Sequence, residues 1–179
     1  MKFTESPLRG AYLIDMTPMA DERGYFARTF CAEEFAAHGL GSVVSQCSVS
    51  FNTKRGTLRG MHFQAAPHDE QKLVRCVSGG IFDVIVDMRA ESSSRHQWFG
   101  IELTASNRRS LYIPQGFAHG FVTLTDDAEV FYSMSAPHVA GAARGLRWND
   151  PALGIRWPIQ PVIMSTRDAE YPLLDHLGS

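Results

Sequence analysis

The residues best able to move a proton fall in two short runs. The first is Arg59-Gly60-Met61-His62-Phe63-Gln64, followed closely by Gln71-Lys72-Leu73-Val74-Arg75. Residues two apart on a strand share a face, so Gly60, His62 and Gln64 belong on one side and Arg59, Met61 and Phe63 on the other. A histidine flanked by Gly and Gln on its own face suits a lumen that holds a polar ligand. Arg59 reaches that lumen only if the strand twists or bulges. In the second run, Ile113-Pro114-Gln115-Gly116-Phe117-Ala118-His119-Gly120-Phe121, a tight Pro-x-Gly turn precedes His119. The small neighbours Ala118 and Gly120 leave room for a ligand to approach the imidazole. An imidazole base and an ammonium brought to one cavity suit enolate chemistry. Loss of a proton beside a ketone puts charge on the carbonyl oxygen, where a preorganised cation is worth on the order of a few kcal/mol. A base on one face of the carbon and an acid on the other invert it.

Strands must position these groups. Segments 57–64, 73–78, 81–88, 98–104, 110–113, 117–124 and 129–133 read as β, separated by turns such as Ser106-Asn107 and Asp126-Asp127. Gly79-Gly80 between two of them is a hairpin signal. Residues 10–16 are β-prone, 21–26 form a turn and an extended segment, 32–38 read as a short helix stopped by Gly39, and 166–177 are weakly helical. Short strands at this spacing argue for a sandwich, jelly roll or barrel rather than βαβ units. With 179 residues and neither repeat nor linker, the chain is expected to be one domain, 1–179. A net charge of -2 gives no support for a nucleic-acid or membrane surface. No apolar run approaches the roughly 18 residues of a membrane span, and the first 14 residues, interrupted by Glu5, Pro7 and Arg9, are no signal peptide. Cys31, Cys47 and Cys76 are odd in number and lack metal-ligand spacing, so they read as reduced thiols of a cytoplasmic protein.

The two runs resemble the paired motifs of the cupin superfamily. Gly56, His62, Gln64, Lys72 and Gly79 occupy the first motif's frame, and Pro114, Gly116 and His119 fit the second. Metal-binding cupins use two His and a Glu from the first motif. Here Gln64 stands for the second His and Lys72 for the Glu. An ammonium repels a divalent cation and an amide oxygen replaces imidazole poorly, so no metal and no other cofactor is expected.

A longer ordered set is more specific. Asp-Glu-Arg-Gly-Tyr-Phe, Gly-Thr-Leu-Arg-Gly-Met-His-Phe-Gln, Gln-Lys-Leu-Val-Arg, Phe-Asp-Val-Ile-Val-Asp-Met-Arg, Tyr-Ile-Pro-Gln-Gly-Phe-Ala-His-Gly-Phe and Trp-Asn-Asp-Pro resemble the dTDP-4-dehydrorhamnose 3,5-epimerase family, in its order, from Asp21 to Asp168. The resemblance implies an all-β cupin-type jelly-roll barrel with a few short helices, acting as a homodimer on a nucleotide-diphospho-sugar. It implies epimerisation at C3, C5 or both of a 4-keto-6-deoxy sugar in deoxysugar synthesis. It further implies His62 as the base, Asp168 as its orienting carboxylate, Tyr132 as the acid on the opposite face and Lys72 as partner of the enolate oxygen. His119 and Asp83 would line the pocket, Arg23 and Arg59 would hold the diphosphate, and Phe26 and Gln46 would line the nucleotide end. Where the family has Glu, Gln-x-Asn, an aromatic and Glu, this chain has Arg28, Gln46-Cys47-Ser48, His138 and Ala143. All four departures concern substrate binding, and losing two carboxylates while gaining a guanidinium favours a more anionic or differently shaped ligand.

Blander readings stand beside these. A strand histidine is more often structural than catalytic, and Arg23 and Arg59 could be ordinary ion-pair residues. His38, His68, His96 and His176 sit in solvated surroundings, and Asp87 reads as a strand end held in a salt bridge with Arg89. Rival functions are a metal-dependent cupin oxygenase or isomerase, and a sugar-nucleotide sensor that binds without turnover.

Overall fold

Period-two alternation of apolar residues builds two facing sheets. The computed structural model describes residues 1–176. Its strands are β1 (Lys2–Glu5), β2 (Tyr12–Asp15), β3 (Met19–Asp21), β4 (Gly24–Phe26), β5 (Gln46–Asn52), β6 (Leu58–Gln64), β7 (Lys72–Ser78), β8 (Gly80–Asp87), β9 (Trp98–Thr104), β10 (Ser110–Ile113), β11 (Phe117–Thr123), β12 (Ala128–Met134) and β13 (Ala143–Gly145). Two short helices, α1 (Ala32–Ala37) and α2 (Thr166–Glu170), complete the regular elements that matter here. The first sheet has the order β1-β2-β10-β7-β12-β5, the second β13-β6-β11-β8-β9, and β3-β4 is a separate hairpin. This is the expected all-β cupin-type jelly roll, in a two-sheet form that hydrogen bonds do not close into a barrel among the described residues.

The core lies between the sheets. Val74 of β7, Leu111 of β10 and Val130 of β12 meet Ile85 of β8, Leu103 of β9 and Phe121 of β11. Burying each such side chain is worth about 1.5–3 kcal/mol. A second cluster covers the outer face of the five-stranded sheet. There Met61, Val84, Val86 and Ala118 pack under Leu146 and Leu153, with Trp157 against them. The C-terminal segment therefore lies on β6, where Leu58 N–H donates to Ile163 O at 2.8 Å. That docking carries α2 to the site.

Two expectations need correction. Gly79-Gly80 is not a hairpin: β7 pairs with β10 and β12, whereas β8 pairs with β9 and β11. The glycines turn the chain from one sheet to the other. Gly79 has φ +68°, and a Cβ there would lie 2.3 Å from Thr125 Oγ1, so the corner tolerates no side chain. The expected tail helix is broken into α2 and a single 3-10 turn at Leu174–His176, and Leu177 lies outside the described residues. Asp87, by contrast, ends β8 as anticipated, bonded by Arg89 Nη2 at 2.7 Å and by Ser92 and Ser94. Burial works to raise its pKa, but these donors outweigh it and hold the carboxyl far below the usual range.

Candidate active site

The register between β6 and β11 slips by one residue. His62 lies opposite His119, yet Arg59 lies opposite Phe121. Three steps on β6 match two on β11, so β6 carries a bulge. The extra residue resets the alternation, and Arg59 and His62 line the same cavity instead of opposite faces. Two glycines permit it. A Cβ on Gly60 (φ +142°) would lie 2.5 Å from Gly120 Cα, and one on Gly120 would lie 2.9 Å from Gly60 Cα. Such close backbone approach excludes any side chain.

The cavity measures about 440 Å³, within the range of small-molecule sites. His62 and His119 enter it from the five-stranded sheet, Lys72 and Tyr132 from the six-stranded one. Alternation explains the aim: Tyr132 shares its face of β12 with buried Ala128 and Val130, and Lys72 shares its face of β7 with Val74 and Cys76. Gln46 and Ser48 of β5 line the cavity with His138 and Ala143. Arg59, Arg144 and Arg167 add guanidinium groups to the wall.

Each histidine is backed by a carboxylate. His62 Nε2 donates to Asp168 Oδ1 at 2.7 Å, and the second oxygen of Asp168 accepts Gly60 N–H at 3.3 Å. Ser165 caps α2 by accepting Asp168 N–H at 3.1 Å, which fixes the carboxylate behind the ring. Burial pushes the Asp168 pKa up, but the His62 bond, with help from Gly60 and Ser165, outweighs it and leaves the pKa below its ordinary value. An ionised Asp168 keeps the proton on Nε2, so Nδ1 carries the lone pair of the neutral ring. His119 Nε2 bonds Asp83 Oδ1, also at 2.7 Å, and Asp83 Oδ2 is buried with no partner among the described residues. The His119 and Tyr132 rings meet edge to face at 6.1 Å. Burial, and then the nearby Asp83 charge, push the Tyr132 phenol far above its usual range, while Arg59 opposes them. Tyr132 therefore stays a neutral proton donor at neutral pH.

Lys72 is paired as well. Its Nζ lies 3.1 Å from Glu70 Oε1, and Glu70 Oε2 accepts a short hydrogen bond from Gln64 Nε2. Gln64 Oε1 is taken by Val139 N–H at 2.7 Å. Both positions that would be metal ligands in a metal-binding cupin are thus otherwise engaged. Among the described residues, no group of three or more His, Cys, Asp and Glu side chains is placed to hold a metal ion.

Of the residues singled out from sequence, His62, Lys72, Tyr132, His119, Arg59, Gln46, Ser48 and His138 meet at the cavity. Asp168 and Asp83 stand behind their histidines. Arg23, Phe26 and Arg28 do not reach it within one chain. Arg23 projects from the β3–β4 hairpin and pairs with its neighbour Asp21, Phe26 is 71% exposed, and Arg28 bonds Glu34 at 3.0 Å. The guanidinium at position 28 therefore adds no positive charge to the cavity of its own chain. Sequence reasoning missed Glu70, Arg144, Arg167 and Tyr171. Only Glu70 carried a signal, lying two residues before Lys72 and so on its side of an extended chain.

A carbon acid held between these sheets can lose its proton to one layer and regain it from the other, which is the work of an epimerase built on a cupin-type fold. The family model of dTDP-4-dehydrorhamnose 3,5-epimerase matches residues 5–176. The dTDP-4-dehydrorhamnose 3,5-epimerase of Sinorhizobium fredii is 39% identical over 178 residues, 99% of this chain and 91% of that protein. The crystal structure of the enzyme of that name from Elizabethkingia anophelis superposes with a TM-score of 0.95 at 35% identity, covering 98% of this chain and 97% of that one. The dTDP-6-deoxy-D-glucose-3,5-epimerase of Legionella pneumophila, in complex with dTDP-4-keto-L-rhamnose, gives 0.92 at 32% identity, covering 98% and 94%. The chain belongs to the dTDP-4-dehydrorhamnose 3,5-epimerase family and is an isomerase of the epimerase kind.

Proposed function

We propose that the chain inverts carbons beside the ketone of a nucleoside-diphosphate 4-keto-6-deoxy sugar, in deoxysugar synthesis. The observation that carries this is the delivery of base and acid from opposing sheets into one cavity. His62, held by Asp168, takes the carbon-bound proton through Nδ1. The charge that develops on the carbonyl oxygen is met by the Lys72 ammonium, and Tyr132 returns a proton from the opposite layer. Arg59, with Arg144 and Arg167 on the same wall, suits a diphosphate. Proton NMR in heavy water with several nucleotide 4-keto-6-deoxy sugars tests the reading. Loss of the C3 signal, or of both C3 and C5, is expected, and no exchange at either carbon rejects it. Because Ser48, His138 and Ala143 line the cavity, the same panel in dTDP, UDP, CDP and GDP forms reads the base preference.

The working form is a homodimer. Val49 and Phe51 of the edge strand β5, together with Phe131 of β12, leave an exposed apolar face on the six-stranded sheet. A second copy that covers this face gives the exposed β3–β4 hairpin a route to the partner's cavity, where Arg23 can hold the diphosphate and Phe26 the nucleotide end. Mixing inactive Arg23→Ala with inactive His62→Asn is expected to restore part of the activity, and no recovery rejects the exchange. Among the described residues no helix is long and apolar enough to cross a membrane. The unpaired cysteines suit the cytoplasm.

A further inference from the structure

We propose that Glu70 is a positioning residue, which fixes the Lys72 ammonium at the reaction centre and ties it, through Gln64, to the segment that carries His138. The inference rests on the reading of Lys72 as the partner of the enolate oxygen. A free lysine side chain samples many rotamers, and a cation helps an oxyanion most when it is held before the charge appears. Lys72 has such a holder. The Glu70 side chain is only 7% exposed and places Oε1 3.1 Å from Nζ. It is also the one acid among the described residues that line the cavity.

Glu70 is itself held. Gln64 Nε2 bonds its other oxygen and also reaches His68 O at 2.9 Å and Pro137 O at 3.3 Å. Gln64 Oε1 accepts Val139 N–H at 2.7 Å, and between these anchors His138 N–H donates to Gln46 Oε1 at 3.0 Å. A continuous hydrogen-bonded line therefore runs from residues 137–139 and Gln46 to the ammonium. Ligand contacts at that end can be spent on ordering the reacting end. The carboxylate does not undo the benefit. Coulomb energy falls with the inverse of distance, so an anion twice as far from the enolate oxygen as the ammonium cancels roughly half of the attraction.

Two readouts test the assignment. The first is the rate of carbon-bound hydrogen exchange in heavy water, in the native protein, Glu70→Gln, Glu70→Asp, Lys72→Met and the Glu70→Gln/Lys72→Met double variant. Glu70→Gln is expected to lower kcat about tenfold or more with KM changed less than about twofold, since loss of geometry acts on the reacting step. Glu70→Asp, which keeps the charge, is expected to recover most of that loss. In the Lys72→Met background Glu70→Gln is expected to add little, because it acts through the lysine. A native kcat in Glu70→Gln, or the same fold loss without Lys72, overturns the proposal. The second readout needs no substrate. The chain's lysines are Lys2, Lys54 and Lys72, so 13Cε relaxation in labelled protein resolves Lys72. An ordered Lys72 that becomes mobile in Glu70→Gln is the expected result, and unchanged order overturns the proposal. Failure of the epimerase reading looks different, as absence of exchange in the native protein.

Discussion

The two His–Asp pairs share a bond length and their histidines face each other on neighbouring strands, yet they differ in burial. The His62 side chain is 33% exposed over an Asp168 that is 5% exposed, whereas His119 and Asp83 are 5% and 0% exposed. Both Asp168 oxygens are hydrogen-bonded, while Asp83 keeps one buried oxygen unpartnered beside the neighbourhood of Tyr132. The same chemical motif thus serves two ends. An open ring with a satisfied carboxylate can exchange protons with a ligand, and a closed ring with an unsatisfied carboxylate sets the field in which a neighbouring phenol stays protonated. On the proposed mechanism, exposure and not the pairing is what distinguishes the histidine that meets the substrate.

The comparison can be broken most directly at the open pair. His62→Asn is expected to lower exchange and inversion by about 10²–10⁴-fold, the usual contribution of a general base, as read by NMR in heavy water. If that variant exchanges at the native rate, exposure has pointed to the wrong ring. Tyr132→Phe should separate the two halves of the reaction. Hydrogen exchange persists because the base remains, while the inverted product falls by about 10²-fold or more; equal loss of both would make Tyr132 part of the first step. Sharper still is a crossed pair of variants. Asp168→Asn is expected to depress kcat more than stability, since it disturbs the tautomer of an open base. His119→Asn is expected to cost about 1–3 kcal/mol of stability by stripping the hydrogen bond from a fully buried carboxyl, as read by denaturant melts. A reversed ranking would dissolve the distinction. The smallest effect lies outside the site. The Asp87 pKa is held below its unfolded value of about 3.9, so the stability it contributes is present above about pH 4 and lost as pH falls toward the folded value. Asp87→Asn should flatten the fall of Tm below pH 4, and an unchanged slope would deny Asp87 that role.

Much of this was legible because it is local. The strands around His62 and His119 and the strand-ending Asp87–Arg89 pair follow from alternation and turn chemistry, whereas Lys72 of β7 and Tyr132 of β12 are reached through the motif frame and the family resemblance. What was not legible is set by contacts distant in sequence. Arg59 could reach the lumen only through a bulge, which alternation cannot foresee, because the bulge depends on the close Gly60–Gly120 approach between strands far apart in the chain. Gly79-Gly80 looked like a hairpin because local spacing cannot tell a return within one sheet from a crossing to the other. Glu70 was overlooked despite its local signal, its place two residues before Lys72, because it lies in the connection between β6 and β7 and not on a strand. Arg23 and Phe26, matched by resemblance, stay apart from the cavity of their own chain.

His62 and Asp168 are 106 residues apart in the chain. During synthesis the sheets that frame the cavity can therefore form while the imidazole still lacks the group that orients it. On the proposed mechanism, competence arrives only when the segment from Ile163 to Asp168 settles on β6, so turnover would report that this docking has taken place. A nick in that stretch would take Arg167 and Tyr171 from the cavity wall together with Asp168, so that binding and orienting groups would be lost at once.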